Sequence, residues 1–502
     1  MRLIINITEE SSVKYTLKVL ENLKKESELR VIAFAYKNSI KEKIIQLDKN
    51  NLIERIITQS DIGVIDDEEL TETDVIKIQD IEHKYTRKTI WNYIYQDRTL
   101  LYTKRGFLYD KGSKLSRKIL VKTILKRFVT IEKIFDEYKP NLVLYITQDF
   151  GTSISTILYE VANRNKTPII IPIVSKFKSY FSFNNDIYGP FSELEKTYNK
   201  NRIDNSYKIN EETKLEFKNY ISDSDLAFYI IKNKEINGNI FLRKIKSFFT
   251  FSNSIVRNYL KKEKDYLYPK FWMYIFDKIT LKYRFFETIR LIKFSKIDKI
   301  KRIKYVYFPM HYEPELVLLV QSQDYIDQLN VVQNISRNLP SNVQLVVKDH
   351  PMMVGRRNPE FYKMILGIPN VILLDANENS IEIIKLSYGI ITTIGSAGME
   401  GFFYNKPVIT LSDAFFNFLP SVKKINSYNE ITDAVLSFSD YKIDLNSQLL
   451  LVQTIKEISI DLNLNALIKK IDQGNINKTD SDIFDRFMNF YKAKIKNEID
   501  KK

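Results

Sequence analysis

The chain has 502 residues, 44% of them hydrophobic and 28% charged, a length that exceeds one typical core and predicts two α/β domains. It has no cysteine, which excludes disulfides, thiolate metal sites and a cysteine nucleophile, and its three histidines (His83, His311, His350) argue against a multi-histidine metal centre. The net charge is +15, no run of about twenty apolar residues is present to span a membrane, and the opening MRLIINITEES lacks the basic-then-apolar pattern of a signal peptide, so a cytoplasmic protein is expected.

Hydrophobic periodicity then divides the chain. Leu3 to Ile7 reads as a strand, Ser12 to Lys25 as a helix and Arg30 to Ala35 as a second strand. Glu54 to Asp80 is acidic and less regular, and helical periodicity dominates from Ile81 to Tyr138. Leu142 to Ile146 is a short apolar strand, followed by Thr147-Gln148-Asp149-Phe150-Gly151 and a helix through Ala162. Pro168 to Val174 is the next buried strand, and strand-helix-strand with short links predicts a right-handed crossover in a parallel sheet. Residues 1–205 are therefore expected to form a Rossmann-like domain.

Residues 206–302 read as a basic, aromatic helical connector. Between Phe241 and Lys304 there are eighteen Lys/Arg against five Asp/Glu, interleaved with Phe248-Phe249, Phe271 to Phe276 and Phe285-Phe286. That mixture fits a helix whose aromatic stripe is core, a helix on an anionic bilayer, or a groove for an acidic polymer. No nucleic-acid motif accompanies it, so no nucleic-acid partner is expected. A second α/β unit spans 303–440, with strands at Tyr305 to Pro309, Val343 to Val347, Val371 to Leu374, Ile390 to Thr393 and Val408 to Leu411. Residues 441–502 read as helices with a charged tail.

The chemistry concentrates where strands end, because open parallel sheets bind ligands at their carboxyl edges. Lys348-Asp349-His350-Pro351 closes one strand; proline turns the chain out of the sheet, and His350, Lys348, Arg356 and Arg357 could hold phosphate. Gly395-Ser396-Ala397-Gly398 closes another and opens a helix whose first amides lack internal partners, a setting for phosphate or carboxylate, with Glu400 placed for a ribose hydroxyl. The same glycines would serve a turn that only packs helix on strand. His311 and Glu313, in FPMHYEPE after the first strand of this unit, could bind or do acid–base work, or mark a rigid loop. Asp149 is the candidate base or nucleophile of the first domain, with helix capping as its other reading. Trp91, Asp97-Arg98 and Ser175-Lys176 are weaker candidates. There is no GxxxxGK[ST] loop, no GxGxxG after the first strand and no Asp-x-Asp at a strand end, so no metal or cofactor is expected.

The strings YVYFPMHYEPE, VVKDHPMMVGRRNPEFY and TTIGSAGMEGFFYNKPVI resemble the bacterial capsule polysaccharide biosynthesis and export proteins, which include the β-Kdo transferases that build the glycolipid linker of capsules. The resemblance is good over about residues 303 to 425 and only general in LVLYITQDFGTSISTILYEVANRNKTPIIIP. It implies two facing Rossmann domains in the GT-B arrangement, a cleft between them and a metal-independent glycosyltransferase. It also implies nucleotide contacts from His350-Pro351 and a phosphate contact from the GSAGMEG turn. The implied donor is a nucleotide sugar, CMP-Kdo or another CMP-sugar, and the implied acceptor a capsule glycan or glycolipid at the inner membrane. A UDP-sugar 2-epimerase and a non-enzymatic capsule assembly or export factor remain alternatives. The family's turn often has Thr where Ser396 stands.

Overall fold

The computed structural model describes residues 1–64, 69–85, 89–101, 115–148, 150–222, 271–315, 317–442 and 444–500, without the side chains at 99, 101, 271–278 and 317. Asp149 and about half of the basic connector (223–270) lie outside the described residues.

Two sheets form the frame. The first joins β1 (Arg2–Ile7), β2 (Arg30–Ala35), β3 (Arg55–Thr58), β4 (Leu142–Tyr145), β5 (Ile169–Val174), β6 (Tyr180–Asn184) and β13 (Ile460–Asp461) in the order β13-β6-β5-β4-β1-β2-β3. The second joins β7 (Tyr305–Pro309), β8 (Gln344–Lys348), β9 (Val371–Leu374), β10 (Gly389–Thr392), β11 (Val408–Thr410) and β12 (Val422–Lys424) in the order β12-β11-β10-β7-β8-β9. Every pairing is parallel except β5 with β6 and β6 with β13. Each sheet thus runs outward from its first strand in one direction and from its fourth in the other, the Rossmann order, with a switch point between β1 and β4 and another between β7 and β10. The expected pair of parallel-sheet domains is what the chain forms.

Strands such as RLIINI and YVYFP are apolar without alternation because helices cover both faces, and their residues are almost wholly buried. On one side of the first sheet lies the helix Arg117–Tyr138, burying Ile124, Phe128 and Ile131. On the other lies the helix Val13–Lys24 together with the C-terminal helices Leu464–Gln473 and Lys478–Asp500, whose Leu467, Phe487 and Tyr491 join that core. The end of the chain therefore returns to the first domain. Conversely, the helices Ser192–Ile203 and Glu211–Ser222 lend Leu194, Tyr198 and Phe217 to the core of the second sheet. These two crossings brace the domains against each other. Asn92 and Gln323 exchange hydrogen bonds of 2.9 Å, Gln321 donates to the Ile187 carbonyl, and Gly189 lies so close to Asp413 that a Cβ would sit 2.3 Å from its carbonyl oxygen.

The predicted strands lie within a residue or two of the observed ones. The acidic stretch from Glu54 hides β3, whose inward residues are only Ile57 and Thr58. Among the described residues no helix is long and apolar enough to cross a membrane.

Candidate functional site at the second switch point

The loops after β7, β8 and β10 converge because their strands are neighbours in the sheet. Their hub is Arg357, whose side chain is 2% exposed. Its Nη1 donates to Glu313 Oε2 and its Nε to Asp349 Oδ2, each at 2.9 Å, while Nη2 donates to the His311 carbonyl at 3.2 Å. Burial works against the cation, but the Asp349 and Glu313 carboxylates outweigh it and hold it charged. Tyr362 completes Asp349 at 2.8 Å, and Gln328 donates to the other Glu313 oxygen. Gln328 also pairs with the backbone of His311 in both directions, at 2.6 and 3.0 Å. Glu313 and Arg357 are thus occupied inside the protein. The geometry gives Glu313 a positioning part, and Arg357 does not face outward with Arg356.

His311 bridges the switch point. Its Nε2 lies 2.6 Å from Thr393 Oγ1, beyond β10, and a Cβ on Gly395 would stand 3.0 Å from His311 Cε1. Burial, with help from His350 and Arg357, pushes the imidazole down to about 4, so it is neutral near pH 7. Glycine at 395 admits this ring. Gly398 and Gly401 face inward as well, where added carbons would meet the Phe416 ring at 2.6 Å and Ile390 Cδ1 at 2.3 Å. Packing explains those two, as the alternative reading of the motif held. The exposed member of the turn is Ser396, first residue of the helix Ser396–Phe403. Ala397 is buried behind it.

His350 is half-buried at the end of β8. Its Nδ1 accepts the Met352 amide at 3.2 Å, so the neutral ring carries its proton on Nε2, where it can donate to a ligand. Burial, Lys348 and Arg356 lower its pKa against the pull of Asp349. Pro351 starts the short turn after it. The Tyr312 ring meets His350 edge-on, with centroids 5.7 Å apart, and carries the Arg356 guanidinium 5.3 Å from its centre. Tyr312, Gln328 and Thr393 were not singled out from sequence: Tyr312 and Thr393 lie within FPMHYEPE and TTIGSAGMEG without a chemistry that marks them there, and Gln328 lies in no motif. Lys348 is buried with its ammonium on the Ala376 carbonyl at 3.2 Å, and burial lowers its pKa against four surrounding carboxylates. It offers the site positive potential more than a contact.

The first domain faces this edge. Burial raises the pKa of both Glu315 and Glu400; Lys176, in the loop after β5, opposes both shifts, joined by Arg98 at Glu315. Lys176 is exposed and sits at φ +63°, a conformation unusual for a side chain with a Cβ, held by Ser175 bonding the Phe177 backbone. Glu400 is further held by a hydrogen bond from Ser396. The loop after β4 is anchored from below. Asp97 accepts from Arg127 Nη1 at 2.7 Å and from the Ser153 amide and hydroxyl at 2.9 Å, all fully buried. Asp97 is therefore an interior residue that holds the loop, and Trp91 lies partly exposed beside Arg117.

Residues 260–421 match the family described as capsule polysaccharide biosynthesis protein. No curated protein matches the chain. Among solved structures it is similar to the UDP-GlcNAc 2-epimerase of Methanocaldococcus jannaschii, at 13% identity over 88% of this chain and 94% of that one, with a TM-score of 0.24. It is also similar to the beta Kdo 2,7 transferase of Thermosulfurimonas dismutans, at 12% identity over 73% and 88%, with a TM-score of 0.32. Overlaps this loose carry no information on chemistry. The matched segment runs from the basic connector through all three loops of the hub, and over that segment the chain is similar to the capsule polysaccharide biosynthesis proteins.

Proposed function

We propose that the chain is a metal-independent glycosyltransferase that moves a sugar from a nucleotide-activated donor, with CMP-Kdo or another CMP-sugar as the candidate, to a capsule or other surface glycan or glycolipid. The observation that carries this reading is the hub itself. Buried charge pairs are expensive to assemble, and this one holds the loops of His311, His350 and Ser396 together at a sheet edge suited to a nucleotide.

In this reading the acceptor hydroxyl gives its proton to a base, its oxygen bonds the anomeric carbon, and the bond from that carbon to the donor phosphate oxygen breaks. The electron pair leaves with the phosphate, where His350 Nε2–H, Arg356 and the free amides at Ser396 and Ala397 meet the growing charge, within the potential of Lys348. Gly395 lets the turn close beside His311, with Gly398 packed behind it, and Glu400 takes a ribose hydroxyl. Glu313 holds the hub, and neutral His311 fixes the spacing of the two loops. The base is then assigned to the first domain, with Asp149 as candidate. The reaction takes place on the cytoplasmic side.

Calorimetric titration with CMP-, UDP- and GDP-sugars tests the donor. His350→Ala should weaken the preferred nucleotide about tenfold or more by removing one charge-assisted hydrogen bond. Epimerisation of donor without acceptor would sink the transferase in favour of an epimerase. Glycan binding untouched by His350→Ala, with no nucleotide binding at all, would point to an assembly factor.

A further inference from the structure

Six of the twenty large hydrophobic side chains exposed among the described residues lie between Ile279 and Leu291, in one helix, Phe271–Leu291. Isolated exposed hydrophobics are ordinary, but a cluster of this density is not. Ile279, Tyr283 and Phe286 follow the i, i+4, i+7 spacing of a single stripe and are 62%, 65% and 68% exposed. Ile289, at 54%, flanks them. Exposed Lys282 and Arg290 stand on the same side of the helix, at the positions next to Ile279 and Phe286 by the 3.6-residue repeat. The inward side is different: Thr288 is buried, and Phe285, the least exposed of the six, has its backbone end so close to Gly355 that a Cβ there would lie 2.9 Å from Phe285 Cβ. Gly355 takes φ +85°, a backbone conformation that favours glycine, and so accepts the helix.

We propose that this outward face docks on an anionic lipid bilayer, with the aromatic and aliphatic side chains entering the headgroup layer and Lys282 and Arg290 meeting lipid phosphates. The occupant follows from chemistry. The face is apolar and cationic; its one acidic neighbour, Glu287, is partly buried at the edge of the stripe, one turn from Arg290, so the balance of Lys282 and Arg290 suits a negatively charged interface. It also sits in the most basic part of the sequence, where Lys/Arg exceed Asp/Glu by thirteen between Phe241 and Lys304. Through Gly355 the helix touches the loop that carries Arg356 and Arg357. A docked bilayer would thus lie beside the candidate site, the place for a lipid-linked acceptor. The docking itself does not depend on the donor chemistry.

Flotation of the full chain with vesicles of phosphatidylcholine alone, or with thirty percent phosphatidylglycerol, tests it. The expected result is flotation with the anionic vesicles at low salt and little with the neutral ones. Lys282→Glu/Arg290→Glu should lower partitioning on the order of thirtyfold, and Ile279→Ser/Phe286→Ser by about tenfold or more. Both variants should keep the wild-type thermal midpoint and nucleotide binding, so a loss confined to lipid separates this surface from the nucleotide site. Absence of flotation, or flotation equal in wild type and both variants, would overturn the proposal. So would a concentration-dependent dimer that either double variant abolishes, which would make a second copy the occupant.

Discussion

The two sheets have the same strand order, and each ties its switch point with one hydrogen bond between the loops after its first and fourth strands. In the first sheet that bond joins Thr8 and Thr147 at 2.8 Å; in the second it joins His311 and Thr393 at 2.6 Å. The surroundings differ. The first crevice is hydroxyl and amide, with Asn6 donating to Ser155, and its buried Arg127 is paired with one carboxylate, Asp97. The second gathers two imidazoles, Lys348 and Arg356 around Arg357, which takes two carboxylates. One frame therefore carries a switch point lined, among the described residues, by hydroxyls and an amide, and a second one lined by cationic groups suited to phosphate.

The two buried arginines give the largest test of that contrast. Arg357→Met strands two carboxylates in the interior and should cost about 3–5 kcal/mol in denaturant unfolding. Lysine should not rescue it, because an ammonium cannot reproduce the planar fork that reaches both acids. Arg127→Met strands only Asp97, which keeps the Ser153 donors, so its loss should be nearer about 3 kcal/mol. If Arg127→Met proved the costlier change, the ranking of the two edges would be reversed.

Acid should find the second switch point next. In the unfolded chain an imidazole takes a proton below about 6.5, whereas folded His311 does so only near 4. Between those values the unfolded state binds the extra proton, so His311 contributes full stability above about pH 6.5 and loses it as the pH falls towards 4. The slope is at most about 1.4 kcal/mol per pH unit. Thermal midpoints at pH 7 and pH 5 should converge for His311→Asn relative to wild type; an unchanged difference would remove His311 from the acid response.

The smallest effect compares the two tying bonds. Thr8→Val and Thr393→Val should each cost about 1 kcal/mol. Only Thr393→Val should also weaken nucleotide binding, because it releases the loop of His311 beside Gly395. Equal binding by the two variants would mean that the ties are structural in both sheets.

The strands β1, β2, β4, β5 and β7 to β11 were legible because parallel strands covered on both faces are continuous apolar runs. β3, β6, β12 and β13 were not: they are short, marginal or paired at an edge, so tertiary neighbours supply most of their burial. The strand-end motifs were legible for a related reason, since a polar group after an apolar run must emerge at the carboxyl edge. What Gly398, Glu313 and Asp97 do there was not. Gly398 is small for Phe416, eighteen residues on; Glu313 meets Arg357 across 44 positions; Asp97 meets Arg127 across 30.

By itself the sequence determined the repeated βα order, the basic segment and which residues stand at strand ends, because those follow from periodicity and local charge. Only the tertiary structure decided which of those residues are spent inside the hub, which remain at the surface, and that Ile279, Tyr283 and Phe286 of the connector helix face outward. Pairing and exposure depend on distances between segments far apart in the chain, and no local pattern encodes them.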